Sequence, residues 1–538
     1  MATRTKTRTL PVFQSTAPRG DLTRAPLLGR FLRWKHARTA VQLPLLLLAA
    51  IIVADGLIGP RAGPENAAGV GPWIQWRGFV VLALLLVGNL FCMACPFMLP
   101  RRLAKKLLPA DRSWPTSLRP KWLALGLLVL FLWGYEAFDL WDSPWLTAWL
   151  VVAYFAAAFV IDGFFKGAAF CKHVCPIGSF NFVNSLASPG EVRVRDASVC
   201  VTCQTKDCIA GRHDQDGRLV QSGCELWLFQ PRKVGNMDCT FCLDCVQACP
   251  YDNVGLVARV PGAELVRERW RSGVGKLAER ADLLALAMVL VFAAFVNAAG
   301  MIGPAQDLQA VVGDVVGGGS RVVGWTIFML VTLGLIPALL LGATTAMSRR
   351  LGGDTVPARR VLLRMAYGLV PLGFAMWIAH YGFHFLASGL TLVPVLHRVA
   401  GDVGLAAGAP DWSLGPLVPA NWLLPFELIA LEIGLLGSLA LLYFIARATF
   451  PSLRSARRAF APWALTAVLL AGAGAWIMTQ PMAMRGMMMD MPGHIMPGHD
   501  GHEHHAPDHD GPADAAGPDD HGEGRHHHSH QHEALPDG

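Results

Sequence analysis

Apolar residues along this chain gather in long, nearly unbroken runs. The first begins near Thr39, and others lie at about 78–98, 121–139, 144–165, 281–300, 323–345, 361–388, 421–446 and 462–479. A helix rises 1.5 Å per residue, so roughly 20 apolar residues cross a hydrocarbon core ~30 Å thick. The pattern therefore predicts an α-helical polytopic membrane protein of about nine spans. The polar stretches divide it further. Residues 1–38 form a basic amino-terminal segment, 39–165 a four-helix membrane region, 166–280 a polar insert, 281–480 a five-helix membrane region and 481–538 a polar tail.

Composition agrees: of 538 residues 53% are hydrophobic and 16% charged, too apolar for an ordinary soluble protein. In a soluble domain the net charge of +7 would suggest nucleic acid as a partner, but here Lys and Arg fall between apolar runs, where they record orientation. Arg101, Arg102, Lys105, Lys106, Arg112 and Arg119 follow the second run, whereas Glu136, Asp139 and Asp142 follow the third. Arg349, Arg350, Arg359 and Arg360 mark the loop after the sixth, and Arg447, Arg454, Arg457 and Arg458 the loop after the eighth. Basic loops stay inside, so the amino terminus and the insert are expected in the cytoplasm and the carboxyl terminus outside a bacterial inner membrane. No signal peptide is evident, and the first run reads as a retained helix.

The chemistry sits in the insert. Cys239, Cys242, Cys245 and Cys249 stand at C-x2-C-x2-C-x3-C and are followed by Pro250. This is the spacing of a [4Fe-4S] ligand run whose fourth cysteine reaches a neighbouring cluster. Cys200, Cys203, Cys208 and Cys224 supply a looser version, its last cysteine displaced by the insertion IAGRHDQDGRLVQSG. Eight thiolates suffice for two [4Fe-4S] clusters on a small α+β ferredoxin-like insert. Swapped pairing would give Cys249 to the first set and Cys224 to the second. Zinc ribbons also use paired C-x2-C, but a zinc site closes with four ligands and seldom continues into this longer run. Disulfides suit an oxidising compartment, whereas the predicted position is cytoplasmic.

Two further pairs lie at the membrane edge, Cys92 and Cys95 in FCMACP and Cys171 and Cys175 in FCKHVCP. Both are expected at the cytoplasmic interface, where the four could hold a third cluster, bind copper or exchange thiol and disulfide. The bland alternative is four small buried hydrophobes.

Together, CxxCP and CxxxCP at helix ends and a two-cluster segment resemble the membrane-bound polyferredoxins of nitrate and nitrous oxide reduction. The combination is similar also to the membrane iron–sulfur proteins of photosynthetic cyclic electron flow and of copper handling in oxidase assembly. The resemblance covers roughly residues 78–255. It implies electron transfer between cytoplasm and membrane, with Cys200, Cys203, Cys208, Cys224, Cys239, Cys242, Cys245 and Cys249 as cluster ligands. The chain departs from the pattern in three ways. Its first pair is one residue short of CxxxCP, its first ferredoxin motif is stretched, and additional spans and a tail follow.

The seventh run contains WIAHYGFHF, which sets His380 and His384 one turn apart on one helix face. The eighth contains Glu427 and Glu432. Ionisable groups within a bilayer are costly and mark haem, metal, quinone or proton sites, unless His and Glu simply satisfy each other. The tail, expected to be disordered, carries many methionines and then His494, His499, His502, His504 and His505. Thioethers favour Cu(I) and imidazoles suit Cu(II), Zn(II) and Ni(II), so the tail leans towards copper.

Two functions compete. In the first the chain is an electron conduit between a cytoplasmic electron donor or acceptor and the membrane quinone pool or a membrane redox complex. In the second it is a copper-handling reductase serving a respiratory oxidase, with the tail as an external sink. No nucleotide, flavin or hydrolytic motif is evident.

Overall fold

The computed structural model describes residues 20–482. Every apolar run is helical, and the short two-stranded sheets lie in the polar insert. Eight helices are long and apolar enough to cross a membrane: Ala37–Ile58, Ala67–Leu86, Pro144–Phe164, Ala281–Ala299, Arg321–Leu351, Ala358–Ser388, Ala420–Thr449 and Leu453–Met478. Two of them are central, with 78% of Ala281–Ala299 and 83% of Ala358–Ser388 buried; Ala67–Leu86 is 56% buried, and the other five are 22–39% buried, as helices facing lipid would be.

The remaining predicted span is the helix Trp122–Ala137, whose 16 residues extend only about 24 Å. It nevertheless runs alongside a full-length neighbour. At one end the Lys121 amide donates to Asp282 Oδ2 at 2.7 Å, and at the other a Cβ on Gly300 would lie 3.0 Å from Glu136 Oε1. The short helix thus covers the same layer as Ala281–Ala299, in the same direction. Contacts between the other helix ends fit an alternating path: Asp55 pairs with Arg398 at 2.6 Å, Asp139 with Arg321, and Ile302 forms a β-bridge with Met482.

The run at 78–98 is where the expected boundaries fail. The helix is Ala67–Leu86, and Cys92 sits beyond it on a separate short helix, Leu90–Ala94. Gly88 causes the break: its φ of +97° lies in the left-handed region, and a Cβ there would stand 2.6 Å from Ser188 Oγ and 2.8 Å from the Phe241 ring. Hydropathy passes through the stop because the residues on both sides are apolar. Gly88→Ala combines a disfavoured backbone with overpacking and should cost about 2–4 kcal/mol. Thermal unfolding in detergent reads this directly; an unshifted melting point would show that the turn tolerates a side chain.

The insert is organised by two antiparallel strands, Gly190–Val194 and Val254–Ala258, in the register Gly190↔Ala258 to Val194↔Val254. The stretched loop between Cys208 and Cys224 folds into its own hairpin, pairing Arg212–His213 with Leu219–Gln221. The described part of the basic amino-terminal segment joins this unit. Asp21 bridges to Val257 and receives Arg195 Nε at 2.7 Å, so the acid in that segment anchors it to the strand pair.

Candidate metal centre

The strand pair decides how the insert's cysteines meet. It brings residue 195 beside residue 253, where the Arg195 amide donates to the Asn253 carbonyl at 2.8 Å. The Asn253 side chain continues the link, donating to the Asp196 carbonyl at 2.6 Å and accepting from the Asp196 amide at 2.9 Å. Asp196 caps the helix Ala197–Thr202, which carries Cys200. The same asparagine touches one thiol from each motif, with its backbone amide 3.4 Å from Cys249 Sγ and its Nδ2 3.4 Å from Cys200 Sγ. Cys249 is therefore held at the first motif.

The strongest thiol–thiol interactions follow the same division, although Cys208 adjoins both groups. Burial pushes the Cys208 thiol up to about 12, and Cys249, Cys200, Cys203 and lastly Cys224 add to it. For Cys200 too, after burial and the opposing Asn253 bond, Cys249 and Cys203 push upwards. Burial raises Cys224 to about 11, with Cys239 as its thiol neighbour, and raises Cys245 beside Cys224, Cys239 and then Cys208. The crossed groups are thus Cys200, Cys203, Cys208 and Cys249 on one side and Cys224, Cys239, Cys242 and Cys245 on the other. All are free cysteines, buried or half-buried. A crowd of buried thiols resists losing its protons unless a cation shares the space, and this donor set fits iron–sulfur clusters.

Backbone strain collects here as well. Among the described residues seven non-glycine positions have positive φ, and five of them, Lys206, Trp227, Phe241, Leu243 and Asp252, lie in the insert. Phe241 (+52°) and Leu243 (+61°) alternate with the cysteines of the second motif. Such strain persists where the surroundings over-determine it, as around a bound group.

The four membrane-edge cysteines converge. Cys92 lies on Leu90–Ala94 and Cys95 ends that helix; Cys171 lies on Ala169–His173, and Cys175 caps Pro176–Asn184 by accepting the Gly178 amide at 3.3 Å. All four line one cavity of about 50 Å³, and Cys239 of the second cysteine group lines it too. Burial pushes Cys92 up to about 12; Asn181 Nδ2, 2.9 Å from its sulfur, opposes the shift, while Cys175 and Cys239 reinforce it. Asn89 Nδ2 donates to the Cys239 carbonyl at 2.6 Å and ties that loop to the turn after Gly88. Met98 Sδ stands 3.5 Å from Cys171 Sγ, a further soft donor at the cavity wall.

Glu225, Cys242 and Asp244 bring their ligand atoms within 4.8 Å of one another. They belong to an ion-pair network, since Arg38 meets Glu225 at 3.5 Å and Asp244 at 3.3 Å, and Arg101 pairs with Glu225. Burial alone would raise the Glu225 carboxyl, but Arg101 and then Arg38 hold it below the ordinary range.

In the membrane region the His380 and His384 rings lie 4.9 Å apart, and His384 Nε2 is 3.2 Å from Met301 Sδ. Glu427 is buried, while Glu432 points outwards from the same helix. The tail residues His494, His499, His502, His504 and His505 lie outside the described residues. Asn253, Asn181, Asn89, Met98 and Met301 escaped the sequence reading. Asn253 alone had a local signal, standing four residues after the last cysteine of the motif.

Fold and site together define a helical polytopic membrane protein with a small cysteine-lined α+β insert. In sequence it is 27% identical over 183 residues, 32% of this chain, to an uncharacterised protein of Methanocaldococcus jannaschii, of which the match covers 64%. It is also 30% identical over 196 residues to the regulatory protein NosR of Pseudomonas aeruginosa, covering 32% of this chain and 25% of that one. A shorter match, 33% identical over 93 residues, is to YccM of Escherichia coli, provisionally named an electron transport protein; it covers 17% of this chain and 22% of that one. The chain thus spans less than two thirds of the length of each of these relatives. No family model and no solved structure matches it.

Proposed function

We propose that this protein relays electrons between a cytoplasmic redox partner and an acceptor or donor in the membrane, a quinone or a membrane-bound carrier. The observation that carries the reading is the shared wall: Cys239 belongs to one insert group and also lines the cavity of Cys92, Cys95, Cys171 and Cys175. That wall joins the four membrane-edge cysteines to one of the insert's two cysteine groups. When bound, two [4Fe-4S] clusters would supply one-electron redox chemistry, held by the two crossed groups. The chain's own residues exclude water from Cys239, Cys242 and Cys245, donate hydrogen bonds to Cys92, Cys175, Cys200 and Cys249, and fix spacing through Asn89 and Asn253. Hydrogen bonds to sulfur and burial are the protein's means of setting a potential. The name of YccM is compatible with this reading.

The second reading, reduction of copper at the membrane edge, is favoured by the four thiols and the Met98 thioether around one cavity, a soft donor set suited to Cu(I). One experiment separates the two. The purified protein is reduced and mixed separately with a quinone analogue and with Cu(II), for the wild type, Cys92→Ser and Cys171→Ser. Rapid quinone-driven bleaching of the cluster absorbance in the wild type, slowed by either substitution, supports the relay through the membrane edge. Copper reduction lost with either substitution, and no response to quinone, would replace it with the second reading.

A further inference from the structure

The far end of the membrane region holds a second group of soft ligands. Met301 follows the last turn of Ala281–Ala299, and its thioether sulfur lies 3.2 Å from His384 Nε2. His384 and His380 share one face of Val370–Ser388, with ring centroids 4.9 Å apart and planes at 84°. All three are buried, at 1%, 6% and 0% exposure. The next residue, Ile302, forms a β-bridge with Met482, and Met478 and Met482 are buried in the same apolar cluster as Ile302. This bridge holds Met482 against the residue that follows Met301 in the chain.

We propose that Met301, His384 and His380 form a binding site for a single Cu(I) ion. The donor set selects the metal: one thioether and two imidazoles are neutral and soft, a combination suited to monovalent copper, whereas zinc prefers a closed set of four with thiolate or carboxylate. Charge points the same way. Desolvation cost rises with the square of the charge, so neutral ligands in a buried membrane site accept a monovalent cation far more readily than a divalent one. A carboxylate, Glu136, stands beside Gly300, and the Arg77 guanidinium lies 5.0 Å from the ring of Tyr381, the residue after His380, so a cation already stands near the site. The close nitrogen–sulfur approach has a plainer explanation as a weak N–H···S hydrogen bond, and the experiment distinguishes the two. The site uses none of the twelve cysteines, so it stands or falls apart from the electron relay.

The test uses the full chain with its iron in place, kept anaerobic and titrated with Cu(I) against a chelator of known affinity. Wild type, Met301→Leu, Met301→Cys and His384→Asn are compared by copper retained, iron content and X-ray absorption at the copper edge. The expected result is that Met301→Leu and His384→Asn each lose one tightly held Cu(I), or weaken it at least tenfold, and lose the mixed nitrogen–sulfur signature with iron unchanged. Met301→Cys should keep both, because it retains a soft donor. Copper count, affinity and spectrum equal to wild type in Met301→Leu and His384→Asn, the result if only the tail or the cysteines hold copper, would overturn the proposal. Should Met301→Leu also shed iron through misfolding, the contrast between Met301→Cys and His384→Asn decides the matter by the same criteria.

Discussion

Replacing Cys242 with serine is expected to remove about half of the protein's iron, from roughly eight atoms per chain to roughly four, and to loosen the insert. Cys242 is 8% exposed and lies between Phe241 and Leu243, both in left-handed backbone. A hydroxyl is a harder and far less acidic donor than a thiol, so a cluster bound there loses one of four anchors. The two strained residues then lose whatever held them, because metal binding and local folding are one equilibrium in such loops. Cys249→Ser makes the test sharper. If Asn253 couples Cys249 to Cys200 as the hydrogen bonds indicate, Cys249→Ser should share its spectroscopic defect with Cys200→Ser and not with Cys242→Ser. Iron assay and electron paramagnetic resonance of the reduced protein read both outcomes. Wild-type iron in Cys242→Ser would remove the cluster assignment altogether.

Much of the fold was legible because membrane spans write themselves as uninterrupted hydropathy, and Trp122–Ala137 was found despite being too short to qualify by length. What hydropathy could not register was an interruption made of apolar residues. Leu86, Val87, Leu90 and Phe91 flank Gly88 and Asn89, and only the glycine followed by a turn-forming residue marked the end of the helix. The docking of residues 20–33 against the insert was equally invisible, since an arginine-rich stretch looks like a membrane-facing charge signal until Asp21 is seen to meet Arg195.

For the site, spacing identified the cysteines, because ligands to one cluster must be close in sequence when they come from one loop. Their partition between groups depends on a strand pairing 60 residues apart in register, Val194 against Val254, which no local spacing encodes. Nor could spacing place Cys92, Cys95, Cys171 and Cys175 around one cavity with Cys239, since that convergence depends on a break at Gly88 and a capped turn at Cys175. Met301 was hidden for another reason: a methionine at a helix end is ordinary core material until its sulfur is found against an imidazole.

Arg101→Met is the change expected to separate the insert from the membrane helices. Arg101 is 2% exposed and lies on Met98–Leu107; it pairs with Asp162 of the helix Pro144–Phe164 at 3.5 Å and with Glu225 of the insert. Glu225 and Asp244 are also joined by Arg38, so one network ties the amino-terminal segment, a membrane helix and residues adjoining Cys224 and Cys245. Methionine preserves much of the buried length but leaves buried Asp162 without its cation and Glu225 with Arg38 alone. Removing one partner of a buried pair in this way costs about 3–5 kcal/mol. The loss should appear as a lower melting temperature in detergent and as faster release of iron to a chelator. A combined Arg101→Met, Asp162→Asn, Glu225→Gln variant should recover a good part of the stability, since neutral groups of similar shape carry no uncompensated charge. Equal melting temperatures for Arg101→Met and the wild type would show that water already reaches these carboxylates and that the insert is held by its apolar contacts alone.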